Sequence, residues 1–319
     1  MQNPERSIVI LGTGGTIAGT AVEAGDTIGY RAAQLGVASL VRDVPGLAGQ
    51  ALETEQVAQL DSKDMDYGVW QALARRCAHH LARPEVGGLV ITHGTDTLEE
   101  TAYLLQRVLA PSKPVVLTAA MRPASALHPD GPQNLLDALR VANEPGARGV
   151  LAVLGGTVHP GAEVRKSHTY RLDAFCSGDA GPLAYVEAGQ LRRLREWPQG
   201  EGLGLDLLEP EAADWPWVEL VSSHAGADGR VVSALQALGV QGLVVLATGN
   251  GTVHERLEAA LVRARAAGVK VWRSTRCAQG RVLAKPGDLL PDAGALTPFK
   301  ARVEVLLQLL LEARRQHGA

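Results

Sequence analysis

Short apolar runs rich in valine, isoleucine and leucine recur along this chain of 319 residues. Each is followed by a polar loop that contains glycine and then by a segment with helical periodicity. Fully apolar strands that alternate with helices are typical of a parallel sheet covered on both faces. The alternation therefore predicts an α/β protein. In the first half of the chain the runs are Ser7–Leu11, Gly88–Ile91, Pro114–Leu117 and Gly149–Leu154.

The chain is long enough for two domains, and its composition changes between residues 189 and 217, where proline, glycine and charge cluster without a sustained period. We predict a larger N-terminal domain at residues 1–190 with a mostly parallel sheet flanked by helices. A linker at 191–214 and a smaller C-terminal α/β domain at 215–319 follow it.

The alternation resumes in the C-terminal part. Strands are expected near Val218–Val221, Gly242–Ala247 and Val269–Arg273, and helices near Val231–Leu238, after Thr252 and from Pro298, with Thr297 as cap. The last helix is apolar on nearly all sides, so we expect it to be buried, with another subunit as one candidate for its covering.

One predicted helix follows Ser62, because Trp70, Leu73, Cys77 and Leu81 fall on a single helical face. A second begins after residue 96. There Thr97 and Glu100 have the spacing of a capping box, and Pro111 ends the pattern. The loop HGTD at 93–96 thus lies between the carboxyl end of a strand and the start of a helix, where open α/β sheets bind ligands.

The bulk properties favour a small-molecule partner. The net charge of −3 provides no basic field for nucleic acid or anionic lipid, and no apolar run reaches the roughly 18 residues of a membrane helix. The first residues lack a secretory pattern, so we expect a soluble, cytoplasmic protein. Cys77, Cys176 and Cys277 lack metal-ligand spacing and are predicted to be buried free thiols.

The first apolar run leads into VILGTGGTIAGT at residues 9–20. A dinucleotide fingerprint would need glycine where Ile17 stands, and a phosphate-binding Walker loop would need a lysine that is absent. What remains is a flexible strand exit that presents Thr13, Thr16 and Thr20. Considered alone, this composition favours a structural turn over a functional loop.

A second hydroxyl-bearing loop, ITHGTDT at 91–97, strengthens the functional interpretation. Loops at the carboxyl ends of two parallel strands can face each other across a crevice. Asp96 could be a carboxylate beside Thr95 or simply a residue that starts a helix. Lys166 could be a solvated surface group or, when desolvated and neutral, the acceptor of a hydroxyl proton.

Five motifs together resemble the bacterial-type L-asparaginase/glutaminase family. They are TGGTIAG at 13–19, HGTDTLEETAY at 93–103, AMRP at 120–123, DGPQNL at 130–135 and GNG at 249–251. The resemblance implies a larger N-terminal and a smaller C-terminal domain, and a homotetramer built from two intimate dimers. It also implies hydrolysis of a side-chain amide, without a metal or organic cofactor, in a site that a neighbouring subunit completes.

The same resemblance implies roles for individual residues. Thr16 matches the nucleophile that forms an acyl-enzyme, and Tyr30 matches the tyrosine that helps to activate it. Thr95, Asp96 and Lys166 match a threonine, an aspartate and a lysine that polarise a hydroxyl or water.

The implied substrate-binding residues come from four parts of the chain. Ser62 and Asp96 match groups that hold the amino-acid head of the substrate. Ala120 matches a residue whose backbone carbonyl lies near the departing amide nitrogen, and Asn250 matches a residue contributed by a partner subunit. Lys63 stands where the family usually has Gln or Glu to bind the α-ammonium group of the substrate.

A second departure concerns the same ammonium group. The family's second-subunit glutamate should fall within residues 277–298, which contain no Glu. Either Lys63 turns away to pair with Asp61, Asp64 or Asp96, or the preferred amide lacks a positive head group. We expect weak affinity for asparagine, with glutamine poorer still, unless Asp288 or Asp292 replaces the missing carboxylate. A non-catalytic ligand sensor on the same scaffold is a further alternative.

Overall fold

The structure, a computed structural model, describes residues 6–23, 26, 28–47 and 49–317. The chain forms two compact units, Met1–Leu205 and Asp206–Ala319. The first unit contains an eight-stranded sheet with helices, and the second contains a three-stranded parallel sheet with helices. The predicted α/β class, with a larger first part and a smaller second part, is confirmed.

In the described residues of the first unit there are ten strands and four α-helices. The strands are β1 (Ser7–Gly14), β2 (Leu52–Leu60), β3 (Val86–Thr92), β4 (Pro114–Thr118), β5 (Gly149–Leu154), β6 (Thr157–Pro160), β7 (Arg165–Lys166), β8 (Phe175–Cys176), β9 (Ala184–Glu187) and β10 (Gln190–Arg193). The helices are α1 (Val37–Arg42), α2 (Tyr67–Leu81), α3 (Leu98–Leu109) and α4 (Gly131–Ala142).

The large sheet has the strand order β10-β9-β6-β5-β4-β3-β1-β2. The five neighbouring strands β5, β4, β3, β1 and β2 pair in parallel. Strands β6, β9 and β10 extend the sheet with antiparallel pairs. The sheet is therefore mostly parallel, as predicted. In the parallel part the strands β3, β4 and β5 are buried on both faces, so apolar side chains alternate into two packing layers.

The second unit has the parallel order β11-β12-β13. Its strands are β11 (Val218–Ser222), β12 (Gly242–Ala247) and β13 (Lys270–Thr275), and its helices are α5 (Arg230–Ala237), α6 (Glu255–Ala266) and α7 (Pro298–His317). Helix α7 packs against all three strands, and Val303, Val305, Leu306 and Leu307 are buried there. The last helix is thus buried, as predicted, and it is the strands of its own unit that cover it.

The segment predicted as a linker, residues 191–214, is mostly exposed but is anchored to the first unit at several points. Strand β10 pairs with β9 at its start, and Trp197 is buried in the core of the first unit. The backbone N–H groups of Leu203 and Gly204 donate to carbonyls near the end of α3, and the two units divide only at residues 205 and 206. Strand β10 is an edge strand whose polar residues face solvent, so its sequence has the composition of a loop.

Two further expectations concern membranes and thiols. In the described part of the chain, no helix is long and apolar enough to cross a bilayer. Cys77 is a buried free thiol as predicted, whereas Cys176 is partly buried and Cys277 is exposed. The prediction was wrong for Cys277 because the residue directly follows β13, in a polar loop rather than in a strand or a helix face.

Candidate active site

The two glycine-rich loops touch each other at the carboxyl ends of β1 and β3. Gly14 and Gly15 have φ angles of 103° and 82°, a region that favours glycine. A Cβ atom added to Gly15 would lie 2.3 Å from the Cα atom of Gly94. The two backbones are therefore as close as glycine allows, and Thr16 and Thr95 each follow directly after the contact.

Thr16 is paired with the phenol of Tyr30. Thr16 Oγ1 lies 2.7 Å from Tyr30 Oη, and either oxygen can be the donor. The Thr16 residue is 7% exposed and begins a single 3₁₀ turn at Thr16–Ala18. Two backbone hydrogen bonds between Thr20 and Arg31, each 2.9 Å, close the loop that brings Tyr30 back to this turn. A phenol held at hydrogen-bond distance can accept or relay the hydroxyl proton.

Lys166 joins two side chains of the second loop. Its Nζ atom donates to Thr95 Oγ1 at 2.9 Å and to Asp96 Oδ1 at 2.7 Å. The lysine lies on the two-residue strand β7, which pairs with β8. This arrangement places an amine against a hydroxyl with a carboxylate beside it. When the amine is neutral, it can take the proton of the hydroxyl or of a water bound there.

Ser62 is built into the same loop. The N–H of Asp96 donates to Ser62 Oγ at 3.1 Å, so the hydroxyl proton of Ser62 remains available for a ligand. Thr97 Oγ1 donates to the Ser62 carbonyl at 2.8 Å and makes no capping bond to α3. The predicted capping box is therefore wrong: the side chain of Thr97 ties the two segments together instead.

Lys63 turns toward neighbouring aspartates. Its Nζ atom lies 2.5 Å from Asp64 Oδ2 and 3.5 Å from Asp61 Oδ2, and its side chain is 60% exposed. These contacts raise the pKa of the Lys63 ammonium, chiefly through the hydrogen bond to Asp64. Of the two alternatives drawn from the sequence, this geometry favours the one in which Lys63 turns away.

Ala120 lies beside the turn that carries Thr16, in the first unit. It is buried and packs with Ile17 and Ala18 in a small apolar cluster. Gly131, the first residue of α4, approaches the same cluster, because an added Cβ would lie 2.8 Å from Ile17 Cγ1. The start of α4 therefore packs directly behind the turn that carries Thr16.

Asn250 belongs to the second unit, where both ends of its amide bind one residue. Its Nδ2 donates to the carbonyl of Leu283 at 3.0 Å, and its Oδ1 accepts from the N–H of Leu283 at 2.7 Å. Asp288 and Asp292, the two candidate replacements for the missing glutamate, also have partners within the second unit. Asp288 is ion-paired with Arg273, and Asp292 accepts a hydrogen bond from the N–H of Gly294.

The sequence interpretation missed a buried hydrogen-bond chain behind the second loop. His93 Nδ1 lies 2.7 Å from the Gly94 carbonyl and must donate to it, so Nε2 accepts from Thr101 Oγ1 at 3.0 Å. Thr101 in turn accepts from the indole N–H of Trp70 at 2.9 Å. Burial lowers the pKa of His93 to about 4, against the opposing effect of its bond to Gly94. A histidine that directly follows a buried strand was the signal that could have revealed this chain.

Glu99 was also missed. It is 8% exposed on the first turn of α3, and its Oε2 accepts from the backbone N–H of Lys166 at 3.1 Å. Within the described residues, no group of three or more His, Cys, Asp or Glu side chains is placed to hold a metal ion. The chemistry that this site offers comes from hydroxyls, an amine and carboxylates.

Two hydroxyls, each beside a proton-accepting group, form a site suited to attack on a carbonyl carbon. Comparison with known proteins agrees with this class of site. The family described as asparaginase, N-terminal, matches residues 7–199, and the glutaminase/asparaginase C-terminal domain matches residues 217–318. The chain belongs to the asparaginase family.

Curated relatives match along nearly the whole chain. L-asparaginase 2 of Escherichia coli is 36% identical over 96% of this chain and 88% of its own length. L-asparaginase 2 of Bacillus subtilis is 35% identical over 95% of this chain and 82% of its own. Among solved structures, the probable cytoplasmic L-asparaginase from Campylobacter jejuni matches with a TM-score of 0.90 at 34% identity, covering 95% of each chain.

Proposed function

We propose that this protein hydrolyses the side-chain amide of L-asparagine to L-aspartate and ammonia, with Thr16 as the nucleophile. The observation that carries the proposal is the 2.7 Å contact between Thr16 Oγ1 and Tyr30 Oη. The asparaginase and glutaminase-asparaginase names of the relatives support the substrate class.

The reaction proceeds in two steps. Thr16 Oγ1 attacks the amide carbon while its proton is relayed through Tyr30 Oη to the amide nitrogen, and the carbon–nitrogen bond then breaks with ammonia as the leaving group. Water beside Thr95 then attacks the ester carbon as its proton passes to Lys166, and this proton returns to Thr16 Oγ1 when the ester bond breaks, which restores the threonine. Backbone N–H groups of the glycine-rich loops are suited to the oxyanion of each step, and one such donor typically contributes about 3 kcal/mol.

The head group of the substrate is held by Ser62 and Asp96. The hydroxyl of Ser62 accepts from the Asp96 N–H and keeps its proton for the α-carboxylate of the substrate. Asp96 is half-exposed and remains able to accept a hydrogen bond from the α-ammonium group, although Lys166 binds one of its oxygens. These two groups together select an amino acid over a simple amide.

A second candidate substrate is a small carboxamide that lacks the α-ammonium group. It is favoured by the absence of Glu from residues 277–298 and by the internal partners of Asp288 and Asp292. Comparing kcat/KM for asparagine, glutamine, their D-forms and succinamate separates the two candidates. A higher kcat/KM for succinamate than for asparagine would favour the uncharged head group.

The nucleophile is tested by ammonia release from Thr16→Ala, with Thr20→Ala as a control that removes another hydroxyl of the same loop. We expect Thr16→Ala to lower kcat by at least about 1,000-fold and the control to retain most activity. Mass spectrometry of an acid-quenched reaction should find the aspartyl group on the peptide that contains Thr16. An acyl group on the peptide that contains Thr95, or unchanged turnover in Thr16→Ala, would contradict the assignment.

We further propose a cytoplasmic homotetramer in which Asn250 supports the site of a partner subunit. Its support is the family resemblance and the Campylobacter protein, which is described as probably cytoplasmic, although the Haemophilus influenzae relative is named as probably periplasmic. Light scattering gives the number of subunits, and cell fractionation gives the compartment.

A further inference from the structure

Asp130 has an unusual use for a residue that precedes a helix. Aspartate at this position ordinarily caps its own helix, but Asp130 makes no capping bond to α4. Its Oδ2 accepts from the N–H of Met121 at 3.0 Å, and its Oδ1 accepts from the N–H of Arg122 at 2.9 Å. The carboxylate therefore holds the loop that follows β4 and contains Ala120.

The bond to Met121 also fixes the carbonyl of Ala120, because the two groups belong to one peptide unit. In a trans peptide the N–H and C=O bonds point in opposite directions. With its N–H directed at Asp130, the peptide directs the Ala120 oxygen away from the carboxylate. A negative charge at the N–H end also polarises the unit and makes that oxygen a stronger acceptor.

The Ala120 oxygen is an acceptor in need of a donor. Ala120 is buried, and none of the residues that the structure describes donates a hydrogen bond to its carbonyl. Buried backbone carbonyls are nearly always paired, so this one is suited to a donor that the chain itself does not supply. Because Ala120 packs on Ile17, that donor would sit close to Thr16.

Asn134 braces the same assembly from the first turns of α4. Its Nδ2 donates to the Ala119 carbonyl at 2.9 Å and to Asp130 Oδ2 at 3.2 Å, and its Oδ1 accepts from the N–H of Gly155 at 2.9 Å. The amide is buried and uses both of its ends. The carboxylate of Asp130 is thus held in one orientation toward the 119–122 loop.

We infer that Asp130 is a positioning residue for the leaving group. Through the Ala120–Met121 peptide it orients and polarises the Ala120 carbonyl, which accepts a hydrogen bond from the carboxamide N–H of the substrate. This inference rests on the proposed amide hydrolysis and goes beyond it, because it assigns a role in amide selectivity to a side chain that does not touch the substrate.

The inference predicts a difference between amides and esters. A carboxamide nitrogen has an N–H to donate to the Ala120 oxygen, whereas an ester oxygen at the same place has none. Loss of the carboxylate should therefore slow amide hydrolysis and leave ester hydrolysis nearly unaffected. A merely structural role would lower both activities by the same factor.

The test compares asparagine with aspartate β-methyl ester in the wild type and in Asp130→Asn. We expect kcat for asparagine to fall by about 100-fold, the size of effect that a misplaced group typically causes, with KM little changed. The ratio of ester to amide kcat/KM should rise at least tenfold. Asp137→Asn is the matched control, because it makes the same change on α4 at a carboxylate that accepts from Gln133 instead.

A second variant covers the possibility that Asp130→Asn fails to fold. Asp130→Ser removes the carboxylate but supplies a good helix cap, and the same rise in the ester-to-amide ratio is expected. If the wild type hydrolyses asparagine but the ratio of ester to amide kcat/KM is unchanged in the folded variant, the role of Asp130 is overturned and the proposed function stands. A wild type that releases no ammonia from asparagine overturns the proposed function, and this assignment with it.

Discussion

Glu99 holds the backbone of Lys166, with 3.1 Å between Glu99 Oε2 and the Lys166 nitrogen. Glu99 lies three residues after Asp96, which contacts the ammonium group of the same lysine. Asp96, just before α3, and Glu99, in its first turn, therefore hold Lys166 at two points, the side-chain tip and the main chain. Because β7 has only two residues, these contacts replace the long strand pairing that would otherwise position the lysine.

Removing the acceptor should misplace the lysine. We predict that Glu99→Ala lowers kcat for asparagine by about 10- to 100-fold, because small displacements of a reacting group are costly. Glu99→Gln keeps an oxygen for the N–H of Lys166 and should retain most of the activity. Steady-state ammonia release measures both, and equal losses in the two variants would contradict a role based on this hydrogen bond.

Lys63 provides a prediction of nearly unchanged activity. Its ammonium is paired with Asp64 and Asp61 and is largely exposed, and such surface pairs contribute little. We expect Lys63→Gln to change kcat/KM for asparagine by less than about threefold. A fall in KM of tenfold or more in this variant would show instead that the lysine repels the substrate's ammonium group. Succinamate, which lacks that group, is the control substrate.

The contact between Gly15 and Gly94 predicts a stability effect. Gly15→Ala adds a Cβ that would overlap the Gly94 backbone and also strains a positive φ, so we expect a loss of about 3 kcal/mol in the free energy of unfolding. Gly146→Ala is the matched control, with φ of 78° and open space around its Cβ, and should cost about 1 kcal/mol. Urea unfolding measures both. Equal losses of unfolding free energy in the two variants would mean that only the strain of a positive φ matters and that the contact with Gly94 does not.

Those elements that the sequence predicted well share one property. Strands β3, β4 and β5 are buried on both faces, so their apolar runs are continuous and stand out. Strand β2 was missed because it is an edge strand whose residues, LETEQVAQL, are partly buried or exposed and form no continuous apolar run. The antiparallel strands β6, β9 and β10 have four residues each, too few for a recognisable period.

The candidate site shows the same division between local and distant information. That Thr16 and Thr95 lie on loops at the carboxyl ends of parallel strands follows from the strand–loop–helix pattern, whereas the direct pairing of β1 with β3 is seen only in the structure. The pairing of Lys166 with Thr95, 71 residues apart, does not follow from any local pattern and entered only through the family resemblance. Asp130 and Thr97 show the converse: both have the local pattern of helix caps, but tertiary partners take their side chains.

His93 provides a prediction about pH. It is completely buried between Gly94 and Thr101, and burial lowers its pKa from 6.5 to about 4. In the unfolded chain the histidine binds a proton near pH 6.5, whereas in the folded protein it stays neutral until about pH 4. The neutral histidine therefore contributes stability above pH 6.5 that is lost as the pH falls between these two values.

Replacing this histidine should flatten the acid limb of the stability curve. When unfolding takes up one proton, the free energy of unfolding changes by about 1.4 kcal/mol per pH unit. The wild type should therefore lose up to about 3 kcal/mol of stability from this group between pH 6.5 and 4. We expect His93→Gln to be less stable at pH 7, since it disrupts the bonds to Gly94 and Thr101, but to lose less stability on acidification.

Urea unfolding at pH 7, 6 and 5 measures how the free energy of unfolding changes with pH, with the exposed His79→Gln as control. Equal slopes in wild type and His93→Gln would show that folding does not lower the pKa of His93. The histidine would then take up its proton in the folded state near pH 6.5, and Nε2 would donate to Thr101 instead of accepting from it.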